Sequence, residues 1–324
     1  MSEFLTIGEP MVVLASQDIN QELADVSHFN RFLAGAELNV ATGVRRLGHS
    51  TSFVSAIGND PFGQYILDSI RLSGIDTTHI KINSKLWTGF YLKQRVSHGD
   101  PQTYYFRKNS AAANYDKENL AHVDLTDTRI THISGIFAAL SPQSLAATKE
   151  LIAKVENENC VITFDPNLRP SLWQSENTMI ATTNELAKHG TVVMPGIHEG
   201  QMLMGSDDPV DIANFYLNQS SITQTVVVKL GPDGAFVKER NRPAYTVAGF
   251  HVNSVIDTVG AGDGFAVGII SALLEGKEIK EAVKRACAIG ALAVESRGDN
   301  DGYPTRKELK RFYEKNNRQV GEKI

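Results

Sequence analysis

The sequence predicts an α/β fold in which helices cover both faces of a mostly parallel central sheet. Three observations predict it: apolar strands alternate with amphipathic helices, two Tyr- and Phe-rich stretches interrupt that alternation, and two long apolar helices lie near the carboxyl end. Alternation of this kind is typical of parallel sheets, whose strands are joined by helices. The chain has 324 residues, enough for one large domain with a sizeable core.

The order of elements is clearest at the amino end. Residues 4–9 (FLTIGE) are predicted to form a buried strand, and residues 36–48 an amphipathic helix that a glycine closes. Residues 51–58 predict the next strand, and residues 60–74 a helix that starts with Asp and Pro and ends at Gly. Further strands are predicted at 130–134, 160–164, 190–194 and 225–230, and helices at 142–156, 175–188, 209–218, 261–276 and 278–296, before a charged final helix.

Two stretches break this order, at about residues 10–34 and 86–110. Both alternate polar residues with Tyr, Phe and β-branched residues, as in GFYLKQRV and TYYFRK, and this pattern indicates β-ribbons. We expect them to form a small β-sheet lid over a cleft. Because the chain contains no repeat, linker or low-complexity tract, residues 1–324 are predicted to form a single domain.

Composition excludes several classes of function. Lys and Arg total 32 against 37 Asp and Glu, so the net charge of -5 gives no general attraction for nucleic acid or an anionic membrane. Cys160 and Cys287 are too few and too far apart for a disulfide framework or a Cys-based zinc site. The sequence has neither an apolar run long enough to span a bilayer nor a signal peptide, so we expect a cytoplasmic protein.

The stretch DTVGAGDGF (257–265) carries the strongest chemical signal. Gly260, Ala261 and Gly262 precede an apolar helix, where unpaired backbone amides and the helix dipole favour an anion such as phosphate. Asp263 lies inside this anion site, where its carboxylate could accept a hydroxyl proton during phosphoryl transfer. A glycine-rich turn with a capping Asp would have the same spacing, so the residues alone leave both interpretations open.

Other nucleotide motifs add little. The chain lacks the GxxxxGK motif followed by Ser or Thr, and GAGDGF lacks the third glycine of GxGxxG. The segment VVVKLGPDGAFV (226–237) predicts either a β-hairpin or a loop beside a nucleotide.

Two separated motifs resemble those of a known family. AGAELNVATGVRRLG (34–48) followed by GNDPFG (58–63), and DTVGAGDGF near the carboxyl end, are similar to the two signatures of the PfkB, or ribokinase-like, carbohydrate kinases. The resemblance spans essentially the whole chain. It implies a ribokinase-like three-layer α/β/α domain with a β-sheet lid. It also implies transfer of a phosphoryl group from ATP to a sugar hydroxyl with Mg²⁺, and it allows a role for a monovalent cation.

The resemblance also implies roles for individual residues. Asp263 corresponds to the catalytic base, and Gly260, Ala261 and Gly262 to the anion hole that stabilises charge on the phosphoryl group. Residues implied at the substrate are Gly35, Asn39, Tyr91, Tyr105, Arg107, Ile136, Arg169 and Asp263. Residues implied at the nucleotide are Lys229, Gly231, Gly234, Gly260, Gly262, Ala286 and Gly290.

Within the family the chain is most similar to the 2-keto-3-deoxygluconate kinases. The similarity rests on the stretches IGEP (7–10), YYFRKNSAA (104–112), SGIFAAL (134–140) and DPNLRP (165–170). Two guanidiniums, from Arg107 and Arg169, would suit a carboxylate on the sugar in charge and geometry, although both could instead be surface ion-pair partners. The alternatives are a neutral-sugar kinase, such as a fructokinase or ribokinase, and a non-catalytic sugar-binding protein.

The sequence departs from the family pattern at one place. The magnesium-associated NxxE motif reads here as GIHE, with Gly196 in place of the Asn, while Glu199 remains and could hold Mg²⁺ through water. His198 is expected to be a surface residue, because Mg²⁺ prefers oxygen ligands. The aromatic residues of the predicted lid lead us to expect a homo-oligomer.

Overall fold

The structure, a computed structural model, describes residues 2–99, 101–158, 160–252, 254–296 and 298–321. Its strands are β1 (Phe4–Ile7), β2 (Met11–Ile19), β3 (Phe29–Ala34), β4 (Thr51–Gly58), β5 (Ile80–Asn83), β6 (Phe90–Arg95), β7 (Thr103–Phe106), β8 (Ile130–Ser134), β9 (Val161–Asp165), β10 (Val192–Val193), β11 (Thr225–Lys229), β12 (Gly234–Glu239) and β13 (Tyr245–Ala248). Its α-helices are α1 (Ala36–Arg46), α2 (Pro61–Leu72), α3 (Gly135–Ala139), α4 (Pro142–Asn157), α5 (Glu176–Ala187), α6 (Ile197–Met204), α7 (Pro209–Gln219), α8 (Ala261–Leu274), α9 (Ile279–Val294) and α10 (Arg306–Gly321).

A nine-stranded sheet, in the order β13-β12-β11-β10-β9-β8-β1-β4-β5, forms the centre of the molecule. The strands from β5 to β11 in this order are parallel, and β12 and β13 extend one edge as antiparallel neighbours. Successive buried residues of one strand enter different cores: Phe4 packs on one face of the sheet and Leu5 on the other. Burial on both faces explains the continuous apolar strands and confirms the predicted three-layer α/β/α class.

A second sheet of four strands, in the order β3-β2-β6-β7, is built from the two aromatic stretches. β3 pairs antiparallel with β2 and β7 antiparallel with β6, whereas the central pair of β2 and β6 is parallel. Met11, Val13, Ala15, Ala34 and Tyr91 form a small core within it. Its role as a mobile lid, and the single-domain boundary at 1–324, remain predictions.

The paired helices α8 and α9 pack closely because of Gly268. A Cβ added at Gly268 would lie 2.3 Å from the Cα atom of Ala286, so only glycine permits this approach. The contact fixes α8, whose first turn carries the GAG stretch, against the body of the protein. Among the described helices, none is both long and apolar enough to cross a membrane.

Candidate active site

A cleft of about 670 Å³ opens at the carboxyl ends of the central strands, where ligands bind in open parallel sheets. Its floor includes Glu9 just after β1, Asp165 at the end of β9 and Lys229 at the end of β11. The first turns of α1 and α8 form its walls, and Met11 and Tyr91 of the small sheet face it from above.

Asp263 lies on the first turn of α8, facing the cleft. Its Oδ2 accepts a hydrogen bond from Nδ2 of Asn39 at 2.9 Å, and its Oδ1 accepts one from Nδ2 of Asn167 at 3.3 Å. Burial raises the pKa of Asp263 to about 7, and the nearby carboxylates of Asp165 and Glu37 act in the same direction, while the Asn39 hydrogen bond opposes the shift. A carboxylate held in place with a pKa near neutrality can act as a general base.

The loop before α8 lines the cleft with Thr258, Val259 and Gly260. Gly260 caps the helix with φ of 81°, and an added Cβ would collide with the carbonyl oxygen of Asp299, so this position requires glycine. Tyr303 anchors the loop by donating its hydroxyl proton to the carbonyl oxygen of Gly260 at 2.6 Å. The amide of Ala261 donates to the carbonyl of Thr258 at 3.3 Å, so this amide already has a hydrogen-bond partner within the loop.

Lys229 is the centre of a second polar group. Its Nζ lies 2.8 Å and 2.9 Å from the two carboxylate oxygens of Asp165, and 3.7 Å from Oε2 of Glu199. Although burial acts to lower it, the pKa of Lys229 is raised by these carboxylates, so the ammonium stays charged. The cation is therefore fixed at the end of β11, near the GPDG turn.

Glu199 holds the start of α6. Its Oε2 accepts a hydrogen bond from the amide of Gly196 at 2.7 Å, and its Oε1 accepts one from the amide of Leu168 at 3.0 Å. The carboxylate thus supplies half of a capping box, while Gly196, at the N-cap, has no side chain to supply the other half. Gly196 therefore leaves the helix start intact but brings no side chain to the cleft.

Arg107 forms a buried ion pair with Glu9. Its Nε and Nη2 lie 2.7 Å and 2.6 Å from Oε2 of Glu9, whose other oxygen accepts the Ser110 hydroxyl proton. Glu9 is 1 % exposed and Arg107 9 %, so each charge is compensated mainly by the other. Arg169, by contrast, is exposed at the cleft wall and donates from Nη1 to the carbonyl of Leu168 at 2.8 Å.

The structure brings most of the predicted site residues to one cleft. Those that line it are Gly35, Asn39, Tyr91, Tyr105, Arg107, Ile136, Arg169, Glu199, Lys229, Gly231, Gly260, Gly262 and Asp263. His198, expected at the surface, is exposed and also lines the cleft.

Four predicted residues lie behind this lining. Ala286 is fully buried between α8 and α9, and Gly290 faces the carbonyl of Ala261, which a Cβ would approach to 3.5 Å. Gly234 has φ of 102° at the end of the turn that joins β11 to β12, where a Cβ would collide with the carbonyl of Val247 on the neighbouring β13. Ala261 follows the helix cap. These four residues lie outside the described lining of the cleft, and the catalytic or nucleotide-binding roles that the resemblance implies for them remain predictions.

Sequence reasoning missed several residues of the cleft, namely Glu9, Glu37, Asp165, Asn167 and Asp299. Glu37 is 1 % exposed, and its Oε1 accepts the Ser134 hydroxyl proton at 2.7 Å. Burial raises the pKa of Glu37, which favours the neutral acid. Glu9 ends one predicted strand, and Asp165 and Asn167 follow another, so the common edge of a parallel sheet could have indicated all three.

The donor set can accommodate Mg²⁺ only through shared ligands. Within the described residues, no group of three or more His, Cys, Asp or Glu side chains is arranged to hold a metal. Asp165 and Glu199 each supply carboxylate oxygens at the cleft, although Lys229 and backbone amides already bond to them. Mg²⁺ commonly keeps several waters and binds phosphate oxygens beside one or two carboxylates, and these two residues fit that role.

Comparison with known proteins decides the family. Residues 1–306 match the pfkB family carbohydrate kinases. The chain belongs to that family. It is 41% identical over 309 residues to a 2-dehydro-3-deoxygluconokinase of Bacillus subtilis (strain 168), covering 95% of this chain and 94% of the relative.

Two further matches agree. A 2-dehydro-3-deoxygluconokinase of Thermoproteus tenax is 29% identical over 315 residues, covering 95% of this chain and 93% of the relative. A protein described as a ribokinase II from E.coli, solved in complex with ATP and Mg²⁺, superposes with a TM-score of 0.87 at 27% identity, covering 97% of this chain and 100% of that one. These findings confirm the predicted family, the ribokinase-like fold and a phosphotransferase with an alcohol acceptor.

The lack of a side-chain amide at position 196 can be tested by substitution. A Cβ there would lie 3.4 Å from the Glu199 carboxylate, an ordinary contact, and φ of -88° suits any residue. Gly196→Asn should add an N-cap side chain, stabilise the protein by roughly a few tenths of a kcal/mol and lower the Mg²⁺ concentration for half-maximal activity.

The control is Gly196→Ala, which adds the Cβ without the amide. Both variants are compared by thermal unfolding and by titration of activity with Mg²⁺. An Ala variant that shifts the Mg²⁺ titration as far as the Asn variant would show that the amide has no part in metal positioning.

Proposed function

We propose that this kinase transfers the terminal phosphoryl group of ATP to the 6-hydroxyl of 2-keto-3-deoxygluconate. The observation that carries the reaction is the carboxylate of Asp263, held by Asn39 and Asn167 beside the first-turn amides of α8. The sugar acid is supported by the names of the two relatives described above.

In the proposed reaction Asp263 removes the proton of the 6-hydroxyl as its oxygen attacks the γ-phosphorus. The bond from the γ-phosphorus to the β–γ bridging oxygen breaks, and ADP leaves with that oxygen. The amides of Gly260 and Gly262 stabilise negative charge on the transferred group, at a helix end whose dipole already favours an anion. Asp263 then holds the proton released by the sugar.

The nucleotide is assigned to the side of the cleft that holds Lys229 and Gly231. Gly231 has φ of 62° and no atom within 4 Å of an added Cβ, so a ligand can approach its backbone closely. Mg²⁺ when bound neutralises charge on the ATP phosphates, and Asp165 and Glu199 are the residues placed to hold it. A monovalent cation could also take part, as the family resemblance allows, and we assign no residue to it.

The substrate carboxylate is assigned first to Arg169. Arg107 already has Glu9 as its counterion, and its fork can still donate hydrogen bonds toward the cleft. Arg169 bonds only to a neutral carbonyl among the contacts described, so its charge is available to an acid. The aromatic rings of Tyr91 and Tyr105, whose centroids lie 4.9 Å apart, form the adjoining wall.

One observation favours a second candidate function, that of a neutral-sugar kinase. Because Glu9 compensates the charge of Arg107, a single uncompensated arginine faces the described part of the sugar site, and a neutral-sugar kinase could use the same cleft. A non-catalytic binding protein has no comparable support, since Asp263 and its amide loop are arranged for transfer.

We also infer that the small sheet acts as the lid of a single domain. Tyr91 and Tyr105 of this sheet face the cleft, so its movement would open and close the sugar site. Tyr104 and Phe106 on its edge strand are 55 % and 47 % exposed, and we assign this aromatic surface to a homo-oligomer contact.

The role of Asp263 predicts two linked effects of Asp263→Asn. Turnover should fall at least 100-fold with ATP affinity unchanged, because a general base contributes about that much or more. The raised pKa means that native Asp263 keeps a proton which the unfolded chain releases between pH of about 4 and 7. Wild-type stability should therefore decrease as pH rises through this range.

The Asn variant should lack this contribution to the pH dependence, and should unfold at an equal or higher temperature than wild type at pH 8. Activity of the wild type should decline below pH of about 7 as the base becomes protonated. Turnover of the variant within tenfold of wild type would exclude Asp263 as the base. Calorimetric ATP binding serves as the control for an intact cleft.

The substrate assignment predicts a selective effect of Arg169→Met. We expect kcat/KM for 2-keto-3-deoxygluconate to fall about 10- to 100-fold through KM, since charge-assisted contacts are lost. The neutral analogue 3-deoxyfructose, which carries a hydroxymethyl group in place of the carboxylate, should change less than threefold. Arg107→Met should weaken binding of both substrates and reduce stability, because the buried charge of Glu9 would be left without its cation.

Lys108→Met is the matched control, since it removes an exposed cation next to Arg107 in the sequence. If Arg169→Met affects the acid and the neutral sugar equally, the charge of Arg169 does not select the carboxylate. If wild type phosphorylates fructose or 3-deoxyfructose better than the acid, the neutral-sugar kinase is the correct reading.

A further inference from the structure

One ion pair links the small sheet to the loop that carries the anion-binding amides. Lys93 on β6 pairs in register with Ala15 of β2 and Thr103 of β7, so it belongs to the small sheet. Its Nζ lies 3.0 Å from Oδ2 of Asp257, the first residue of the DTVGAGDGF stretch. The two side chains are only 17% and 28% exposed, so water screens the pair less than it would a surface pair.

Asp257 also shapes the loop directly. Its Oδ1 accepts a hydrogen bond from the amide of Val259 at 3.0 Å, which closes a short turn immediately before Gly260. The backbone amides of Ile256 and Asp257 donate to the carbonyl of Val294 at 2.7 Å and 3.4 Å, which attaches this turn to the end of α9. One carboxylate therefore contacts the small sheet with one oxygen and the anion loop with the other.

Lys93 also offsets a local excess of negative charge. Burial raises the pKa of Asp299 to about 6, and the carboxylates of Asp257 and Asp301 add to this effect, whereas Lys93 opposes it. The carbonyl of Asp299 lies directly against Gly260. A phosphate approaching the loop without Lys93 would meet these carboxylates uncompensated.

We propose that Lys93 is a positioning residue which, through Asp257, makes the anion loop competent for phosphoryl transfer only when the small sheet covers the cleft. This inference rests on the proposed roles of the loop and of Asp263. A small sheet that closes over a bound sugar brings Lys93 to Asp257, so sugar binding promotes the loop conformation that transfer requires. Without sugar, the open sheet withdraws the cation, and hydrolysis of ATP by water is suppressed.

The measured quantity is the ratio of the ADP-forming rate with sugar to the rate without sugar. Lys93→Met keeps the length of the side chain and removes its charge, and we expect this ratio to fall about tenfold, within the usual range of coupling between sites. Lys93→Arg should restore most of the ratio. A purely structural defect would lower both rates together and leave the ratio unchanged.

Two controls isolate the contact. Arg95→Met removes a cation from the same strand that bonds to the carbonyl of Gln17 outside the cleft, and it should leave the ratio unchanged. In an Asp257→Asn background, Lys93→Met should have little further effect, because the partner has already gone. A Lys93→Met enzyme with the wild-type ratio, or an equal effect of Lys93→Met in both backgrounds, would overturn the proposal.

The same ratio is measured with 2-keto-3-deoxygluconate, fructose and ribose. If only a neutral sugar is phosphorylated, the substrate assignment fails, yet the effect of Lys93→Met on that sugar still decides the present inference. If Asp263→Asn retains turnover while Lys93→Met lowers the ratio, the base assignment fails and the coupling through Asp257 stands.

Discussion

The site depends on a carboxylate placed where an anion should bind. Asp263 lies on the first turn of α8, at the helix end whose amides and dipole attract phosphate, and two asparagine amides from α1 and the loop after β9 hold it. An ionised carboxylate so close to a phosphate would be repelled, but a pKa of about 7 leaves the group part-protonated near neutral pH. The carboxylate of Asp263 can keep this position only if α8 is held in place. The close contacts at Gly260 and Gly268 do this, since they fix α8 relative to the loop and to α9.

The ion pair of Glu9 with Arg107 reduces the positive charge that is available to a substrate carboxylate. The sequence suggests two arginines that could bring two positive charges to one substrate carboxylate. In the structure the charge of Arg107 is paired with the buried carboxylate of Glu9. The pair is retained because burying either charge without the other would be costly. Arg107 then contributes directed hydrogen bonds, which suit hydroxyl and keto oxygens as well as a carboxylate. In the proposed function, discrimination for an acid therefore rests on Arg169.

Most of the fold could be predicted from periodicity, because strands buried on both faces and amphipathic helices leave strong patterns. Short elements such as α3, α6 and β5 carry too few residues for a pattern to develop, and they were missed. The GPDG stretch allowed a hairpin or a nucleotide loop, and it forms the β11 and β12 hairpin while Gly231 also lines the cleft. Contacts such as Lys93 with Asp257 join residues 164 positions apart, and no local signal in the sequence reveals them.

The charges of the cleft show why these pairings matter together. Its described lining contains the carboxyl groups of Glu9, Glu37, Asp165, Glu199, Asp263 and Asp299, against the cations of Arg107, Arg169 and Lys229. Two of those cations are committed to Glu9 and Asp165, although the site must accept ATP. Burial resolves part of the conflict by raising the pKa of Glu37, Asp263 and Asp299, so that these groups hold protons more readily. In the proposed reaction the rest comes from Mg²⁺ on the phosphates and from the Lys93 ammonium of the small sheet. Under these proposals the cleft is ready for ATP only when both cations are in place, and this requirement would favour transfer to a bound sugar over transfer to water.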